Sequence, residues 1–559
     1  MRRDFDVCII GTGAGGGVML DELTRAGFDV VALQRGPNLP PRASQTTSSR
    51  SSCATSSSRP DLLESYRLDA NERAVPGRYN TVAHAVGGTM TRWSGWSWRF
   101  RGDDFRVLCE RGRGGRERRS PDWPVSYAEL EPFYARAERE FGVSGLAGAN
   151  PFTPPRSGPY PNPPHPPRLS SLVFERGAKR AGLHPFPVPI AINPQPYNGR
   201  AGCTWGGACQ GFGCMIHAEG NFVVCLHSAR ARQRTARSAR AGARVRAAAG
   251  PDGRVRGARY LDGQGHEQEV RARPRRRGVT ARWARRTCCC SRAPGSFQMD
   301  LPASSGARRP APDLPPPRRR HASVMDEPAL GVAGIEVYRA IDDWHASDPK
   351  RGFIRAAAWW PRSTPSRGSR SAYALTGAGD PGLARGWGAP LKRYLREFPR
   401  AITIGSILED LPMAENRVDL DPDVKDAQGL PVARITHRQH RERHRDERLV
   451  RAADRGLAQA CKPASSWRIL LPGLHADRRE DGDARGARNA HGTCRMGADP
   501  AEVGARPLLP RARRSESLGG RRGLLPTAGG YNPTAHAARE RLPRRGNIFV
   551  AEAKRQERC

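Results

Sequence analysis

Apolar and polar positions alternate legibly at the start of the chain. An apolar run over 5–10, "FDVCII", meets a glycine turn. A helical period follows with Val18, Leu20 and Leu23 on its apolar side, and then a second apolar run, "DVVAL" over 29–33. That order predicts strand, turn, helix, strand, the start of a βαβ unit. Residues 122–145, "DWPVSYAELEPFYARAEREFGVSG", open with a turn and a Ser126-x-x-Glu129 capping box, which predicts a helix. Strands and turns are expected across 325–440; within it, "NRVDLDPDVKDAQGLPVARITHR" alternates on both sides of Asp-Ala-Gln-Gly and predicts a hairpin. A second hairpin is expected in "GRVRGARYLDGQGHEQEVRAR" over 253–273. Near 38–58, 107–120, 226–249, 274–290, 441–488 and 503–523 the pattern breaks into Arg/Ala/Ser/Pro/Gly text with neither a 3.6- nor a 2-residue period.

With 559 residues the chain exceeds what one core holds, so two domains, or two lobes sharing a sheet, are expected. Gly11, Gly13 and Gly16 form G-x-G-x-x-G at the first strand-to-helix junction. Glycine there permits a tight turn and lets backbone N–H groups approach a pyrophosphate at the helix N-terminus. A dinucleotide is therefore the expected ligand of this end. About 20 residues on, where an acid would bind the ribose hydroxyls, the chain has Gln34. Its amide oxygen accepts a hydrogen bond without the charge, so weaker adenosine binding is expected.

Further on, "HAVGGTMTRWSGWSWRFRGDDF" over 84–105 pairs Gly87 and Gly88 ahead of Thr89 and then supplies Trp93, Trp96 and Trp98. Paired glycines admit a flat ligand close to the backbone, and the tryptophans either wall an apolar pocket or fill the core. This segment resembles the glucose-methanol-choline (GMC) family of FAD-dependent oxidoreductases, most closely its gluconate-dehydrogenase-like branch. Similar to that family's signatures are also "DWPVSYAELEPFY", "CTWGGACQGFGC" over 203–214, the 416–431 stretch, "HGTCRMGADP" over 491–500 and "LPTAGGYNPTAHAARERL" over 525–542. Together these cover roughly three-fifths of the chain.

The resemblance implies an α/β fold: a Rossmann-like FAD-binding domain with a second α+β substrate domain built on an antiparallel sheet. It divides the chain into an FAD-binding domain from 1–150 and 200–325, a substrate domain from 151–199 and 326–440, and a C-terminal region, 441–559, that completes the FAD domain and the active site. It makes FAD the cofactor, with Gly87, Gly88 and Thr89 beneath the flavin. His491 becomes the general base that takes the alcohol proton, and Asn532 a hydrogen-bond partner of the same oxygen. A neutral imidazole suits that task, because hydride leaves an alcohol carbon readily only as the hydroxyl proton is removed. The family usually has two residues between this histidine and G-T; here His491 adjoins Gly492. The substrate would be an alcohol, polyol or sugar (acid), and a quinone or an electron-acceptor subunit the partner.

Charge supplies a competing reading. A formal charge of +38 points to nucleic acid or an anionic surface. Yet only six of the 93 basic residues are lysines, and the arginine run over 230–246 carries no aromatic side chain for base stacking. A nucleic-acid-binding protein is thus the alternative rather than the expectation. The 13 cysteines lack the spacing of a disulfide framework, and Cys203, Cys209 and Cys214 lack the paired spacing of a closed metal site, so no metal is expected. There is no apolar run of transmembrane length and no signal-peptide pattern, which makes a cytoplasmic location the expectation.

Cys288, Cys289 and Cys290 fall where the family has a leucine-rich strand and helix. Repeated CTG codons for leucine, read one base late, give TGC codons for cysteine. The aperiodic segments are accordingly read as translated out of frame, which also accounts for the arginine surplus. That strand would be central in a parallel sheet, where unpaired arginine costs several kcal/mol. A weakened or inactive product of a frameshifted GMC gene is the consequence to be weighed.

Overall fold

The computed structural model describes residues 4–34, 36–38, 64–77, 85–106, 122–206, 209, 213–225, 245–249, 255–262, 264–272, 278–279, 320–329, 334–335, 337–346, 359–362, 388–389, 392, 396–406, 409, 416–426, 429, 431–437, 452–469, 517–518, 525–527 and 529. His491, Asn532 and Cys288 to Cys290 lie outside them.

The βαβ start forms as the pattern predicts. Strand Val7–Ile10 runs into helix Ala14–Arg25, and strand Val30–Leu33 returns parallel to the first, with Cys8 opposite Val31 and Ile10 opposite Leu33. All four residues of the returning strand are buried, as a strand covered on both faces requires. On the other side of Val7–Ile10 lies Gly278–Val279, with Val279 opposite Ile9, and beyond it Ser517–Leu518, both pairings parallel. Short pieces of two aperiodic segments thus occupy the central and edge positions of this parallel sheet.

Both expected hairpins are present. Val255–Leu261 pairs antiparallel with Glu267–Ala272, and Arg417–Lys425 with Pro431–Thr436. The first belongs to a four-stranded sheet with Asp4–Phe5 and Val245–Ala249; the second adds to Glu64–Arg67 and Val75–Gly77. A further sheet is wholly antiparallel, in the order Trp359–Arg362, Ala401–Ser406, Arg320–Val324, Ser465–Ile469. Its strands come from both sides of residues 325 and 440. Helix Leu169–Arg180 packs Val173, Phe174 and Ala178 against Ile402 and Ile404 of that sheet.

Helix Tyr127–Phe141 begins at the expected capping box: the Ser126 hydroxyl accepts from the Glu129 amide, and the Glu129 carboxylate accepts from the Ser126 amide. Gly142, with φ of 65°, ends it in the left-handed conformation that glycine adopts without strain. Two apolar clusters meet near this helix. One joins Val18, Leu20 and Leu23 of the first helix to Trp93, Phe141 and Phe222; the other gathers Trp96, Trp98, Phe100, Phe105, Trp123 and Tyr134. Among the described residues no helix is long and apolar enough to cross a membrane.

Candidate functional site

The glycine turn is built by backbone conformation. Gly11 takes φ of 84°, and its N–H donates to the Leu33 carbonyl at 2.6 Å, closing the turn against the second strand. Gly13 is the extended N-cap of the first helix, with no side chain capping it and no acid in the first turn. The first helical N–H groups and the helix dipole therefore remain available to an anion. Gly11 and Gly13 are half-exposed, whereas Gly16 is buried.

The paired glycines close on this turn. Gly87 and Gly88 have φ of 81° and 62°, and a Cβ built on Gly88 would lie 2.9 Å from the Cα of Gly13. Two backbones pass here at a distance that no side chain allows. The Gly87 N–H donates to the Thr12 hydroxyl oxygen at 3.1 Å. Thr12 in turn donates twice to the Gln34 amide oxygen, from its N–H at 2.9 Å and its hydroxyl at 3.0 Å. Thr89 is half-buried on the short 3-10 turn Gly88–Arg92. The structure thus brings Gly11, Gly13, Gly16, Gln34, Gly87, Gly88 and Thr89 into one neighbourhood.

Two members of this cradle escaped the sequence reading. Thr12 is the variable residue inside the fingerprint, and nothing in its spacing marks it as the junction of both turns. Gly17 follows the fingerprint directly; a Cβ there would overlap the Phe222 ring, so the short helix Phe222–Cys225 seats itself on the first helix. The run of three glycines at 15–17 was the available signal, but its partner lies more than 200 residues away.

The tryptophans prove to be mainly core. Trp93 is buried against the first helix and donates its indole N–H to the Gly220 carbonyl at 2.9 Å. Trp96 and Trp98 meet edge-on with ring centres 5.7 Å apart, and Trp98 also lines a pocket with Arg101, Asn150, Phe152 and Tyr160. Trp96 and Trp98 share their cluster with Ile190, Ile192 and neighbouring rings.

Beside this core lies a buried charge network. Arg99 donates to both oxygens of Glu138 at 2.9 Å and to Glu131 at 2.8 Å; Arg156 reaches Glu138 at 2.7 Å. The side chains of Arg99 and Glu138 are each 1% exposed. The carboxylates hold the Arg99 guanidinium charged well above its ordinary range, against the opposing effect of burial. The network ties the Trp96–Phe100 stretch to the capped helix.

The described start of the C-terminal signature docks on the same block. Trp123 donates its indole N–H to the Thr527 hydroxyl at 2.9 Å, Leu525 and Thr527 are fully buried, and a Cβ on Gly529 would lie 3.1 Å from the Phe100 ring. Residues 525–527 and 529 are thereby seated, the last of them three residues before Asn532 in the sequence. His491 and Asn532 themselves are not among the described residues.

Cys203, Cys209 and Cys214 pack, half-buried, against the aromatic cluster. Burial raises the pKa of Cys203. Among the described residues no group of three His, Cys, Asp or Glu side chains is gathered for a metal ion.

No protein-family model matches the chain. It is 25% identical to the gluconate 2-dehydrogenase flavoprotein of Pantoea cypripedii over 96% of its own length and 92% of that protein's. It is 32% identical to the fructose dehydrogenase large subunit of Gluconobacter japonicus over 40% of its own length and 43% of that protein's. Among solved structures, pyridoxine 4-oxidase from Mesorbium loti superposes with a TM-score of 0.57 at 15% identity, covering 100% of both chains.

Proposed function

We propose that the chain is a member of the glucose-methanol-choline family of FAD-dependent oxidoreductases and oxidises the CH–OH group of a polyol, sugar or sugar acid. The observation that carries this reading is the cradle of Gly11, Thr12, Gly13, Gly87 and Gly88, where a Cβ added at Gly88 would meet the Gly13 backbone. FAD fits these residues. The N–H groups of the glycine turn and the uncapped helix would hold its pyrophosphate, and Gly87, Gly88 and Thr89 would lie along the flavin. Bound FAD supplies the hydride acceptor.

The remaining chemistry belongs to the chain's own side chains. In this reading His491 takes the substrate hydroxyl proton and Asn532 hydrogen-bonds the same oxygen, holding the reacting carbon in place. The seating of Thr527 on Trp123 and of Gly529 against Phe100, in the stretch that precedes Asn532 in the sequence, supports it. Sugar-directed relatives support the substrate class, and the phrase "large subunit" in one relative's name supports a partner subunit as electron acceptor.

The test is anaerobic mixing of the FAD-loaded chain with glycerol, aldoses, aldonic acids and simple alcohols. Bleaching of the flavin absorbance by at least one, abolished in His491→Ala, is the expected result. A chain that holds FAD and is bleached by none would refute the assignment.

The small share of lysine among the basic residues favours a second reading, in which several segments are out of frame and the product is impaired. Sequencing the transcript across 226–330 decides it: an intact frame removes this reading, and paired insertions or deletions establish it.

A further inference from the structure

Gln34 stands where a dinucleotide fold of this kind places an acid for the adenosine ribose. An amide oxygen has two lone-pair directions, and both are occupied here. The Thr12 N–H donates to it at 2.9 Å and the Thr12 hydroxyl at 3.0 Å. Thr12 is fully buried and Gln34 is 8% exposed, so water offers little competition for these bonds. The same Thr12 hydroxyl accepts from the Gly87 N–H at 3.1 Å. Gln34 therefore connects through one hydroxyl to the turn that lies against Gly13.

We infer that Gln34 is a positioning residue, which clasps the glycine turn to the Gly87–Gly88 turn through Thr12 and does not select the adenosine ribose. A glutamate at this position has acceptor sites on two oxygens. It could hold Thr12 with one and take a ribose hydroxyl with the other. The amide keeps the first role and replaces the second, charge-assisted bond with at most a neutral N–H donation to the hydroxyl oxygen, which discriminates far less. The inference rests on the FAD reading for its nucleotide half; the clasp half concerns the protein alone.

Two measurements on the full-length chain test it. The first is thermal melting of the cofactor-free protein. Gln34→Ala and Thr12→Val should each lower the melting temperature, and the double variant should fall by less than the sum of the two, because both remove the bond between the Thr12 hydroxyl and the Gln34 oxygen. Gln34→Glu should melt like wild type, since a carboxylate oxygen accepts the same two donors. A Gln34→Ala protein that melts with wild type overturns the clasp.

The second is titration with FAD and with its 2′-deoxyadenosine analogue, followed by flavin fluorescence. Wild type should bind both equally, Gln34→Ala should bind both about tenfold more weakly through the loosened cradle, and Gln34→Glu should prefer FAD by about tenfold. A wild-type preference for FAD that disappears in Gln34→Ala would show that Gln34 reads the ribose and would overturn the proposal. Should wild type take up neither nucleotide, the flavin assignment fails. The melting comparison then decides the clasp by itself.

Discussion

The glycine cradle around Thr12 and the aromatic block around Trp123 reach close packing by opposite routes. In the cradle, side chains are missing: Gly88 lies against Gly13, Phe222 against Gly17, and one amide and one hydroxyl join the turns. In the block, side chains fill everything: Phe105 and Trp123 meet with ring centres 5.0 Å apart, Phe100 and Trp123 at 5.9 Å, and a shared carboxylate pins two arginines. The difference teaches that a nucleotide cradle fails by gaining atoms and its supporting block by losing them. Mutations of opposite sense should therefore do harm in the two places.

The largest effect is expected in the block. Glu138→Gln keeps the shape but leaves Arg99 and Arg156 without their common charge, and breaking a buried pair in this way costs about 3–5 kcal/mol. Chemical denaturation reads the loss. A cost under 1 kcal/mol would place these arginines in effective contact with water and weaken the contrast.

In the cradle, Gly88→Ala adds one methyl at φ of 62° and 2.9 Å from backbone, a combination that should cost about 3 kcal/mol and most of the FAD affinity. Gly102→Ala is its control. Gly102 has φ of −58° with nothing within 4 Å of an added Cβ, so it should leave stability unchanged or raise it by about 0.5 kcal/mol. Similar losses from both substitutions would mean that added volume is not what the cradle resists.

Acid sensitivity belongs to the block. His165 donates from Nε2 to the Ile192 carbonyl at 2.9 Å, if that nitrogen carries the proton, and its ring meets Tyr338 edge-on. Burial lowers its pKa from 6.5 to about 4. The unfolded chain takes up this proton below about pH 6.5 and the folded chain only near 4, so stability present at neutral pH is lost between those values. The loss is about 3 kcal/mol when complete. His165→Gln should flatten that part of the stability-against-pH curve; an unchanged slope would assign the acid loss to other groups.

The smallest block effect is Trp123→Phe. The ring is kept and the indole N–H removed, which leaves the buried Thr527 hydroxyl without its donor, at about 1–2 kcal/mol. Flavin content should be retained and turnover reduced, since the seating of Thr527 loosens. Equal losses of flavin and turnover would make Trp123 a general packing residue.

What could be read from the chain was local. The fingerprint glycines, the Ser126–Glu129 capping box and the hairpin at Asp426–Gly429 each depend on neighbours within one turn or two strands. The Thr12–Gln34 clasp joins residues 22 apart and the Thr12–Gly87 bond residues 75 apart, so neither leaves a periodic trace. The same holds for the antiparallel sheet, whose outer strands at 359–362 and 465–469 are more than 90 residues apart. The tryptophans left two roles open, because an indole that walls a pocket and one that fills a core have the same sequence pattern. His491, Asn532 and the triple cysteine lie outside the described residues.

The most direct measurement is the flavin content of the folded, purified chain after equilibration with FAD, taken beside its Gly88→Ala and Gly102→Ala variants. The account predicts one FAD per chain in wild type and Gly102→Ala, and little in Gly88→Ala. A folded wild type that retains none, or a Gly88→Ala variant that retains as much, would contradict the claim that these paired turns hold the cofactor.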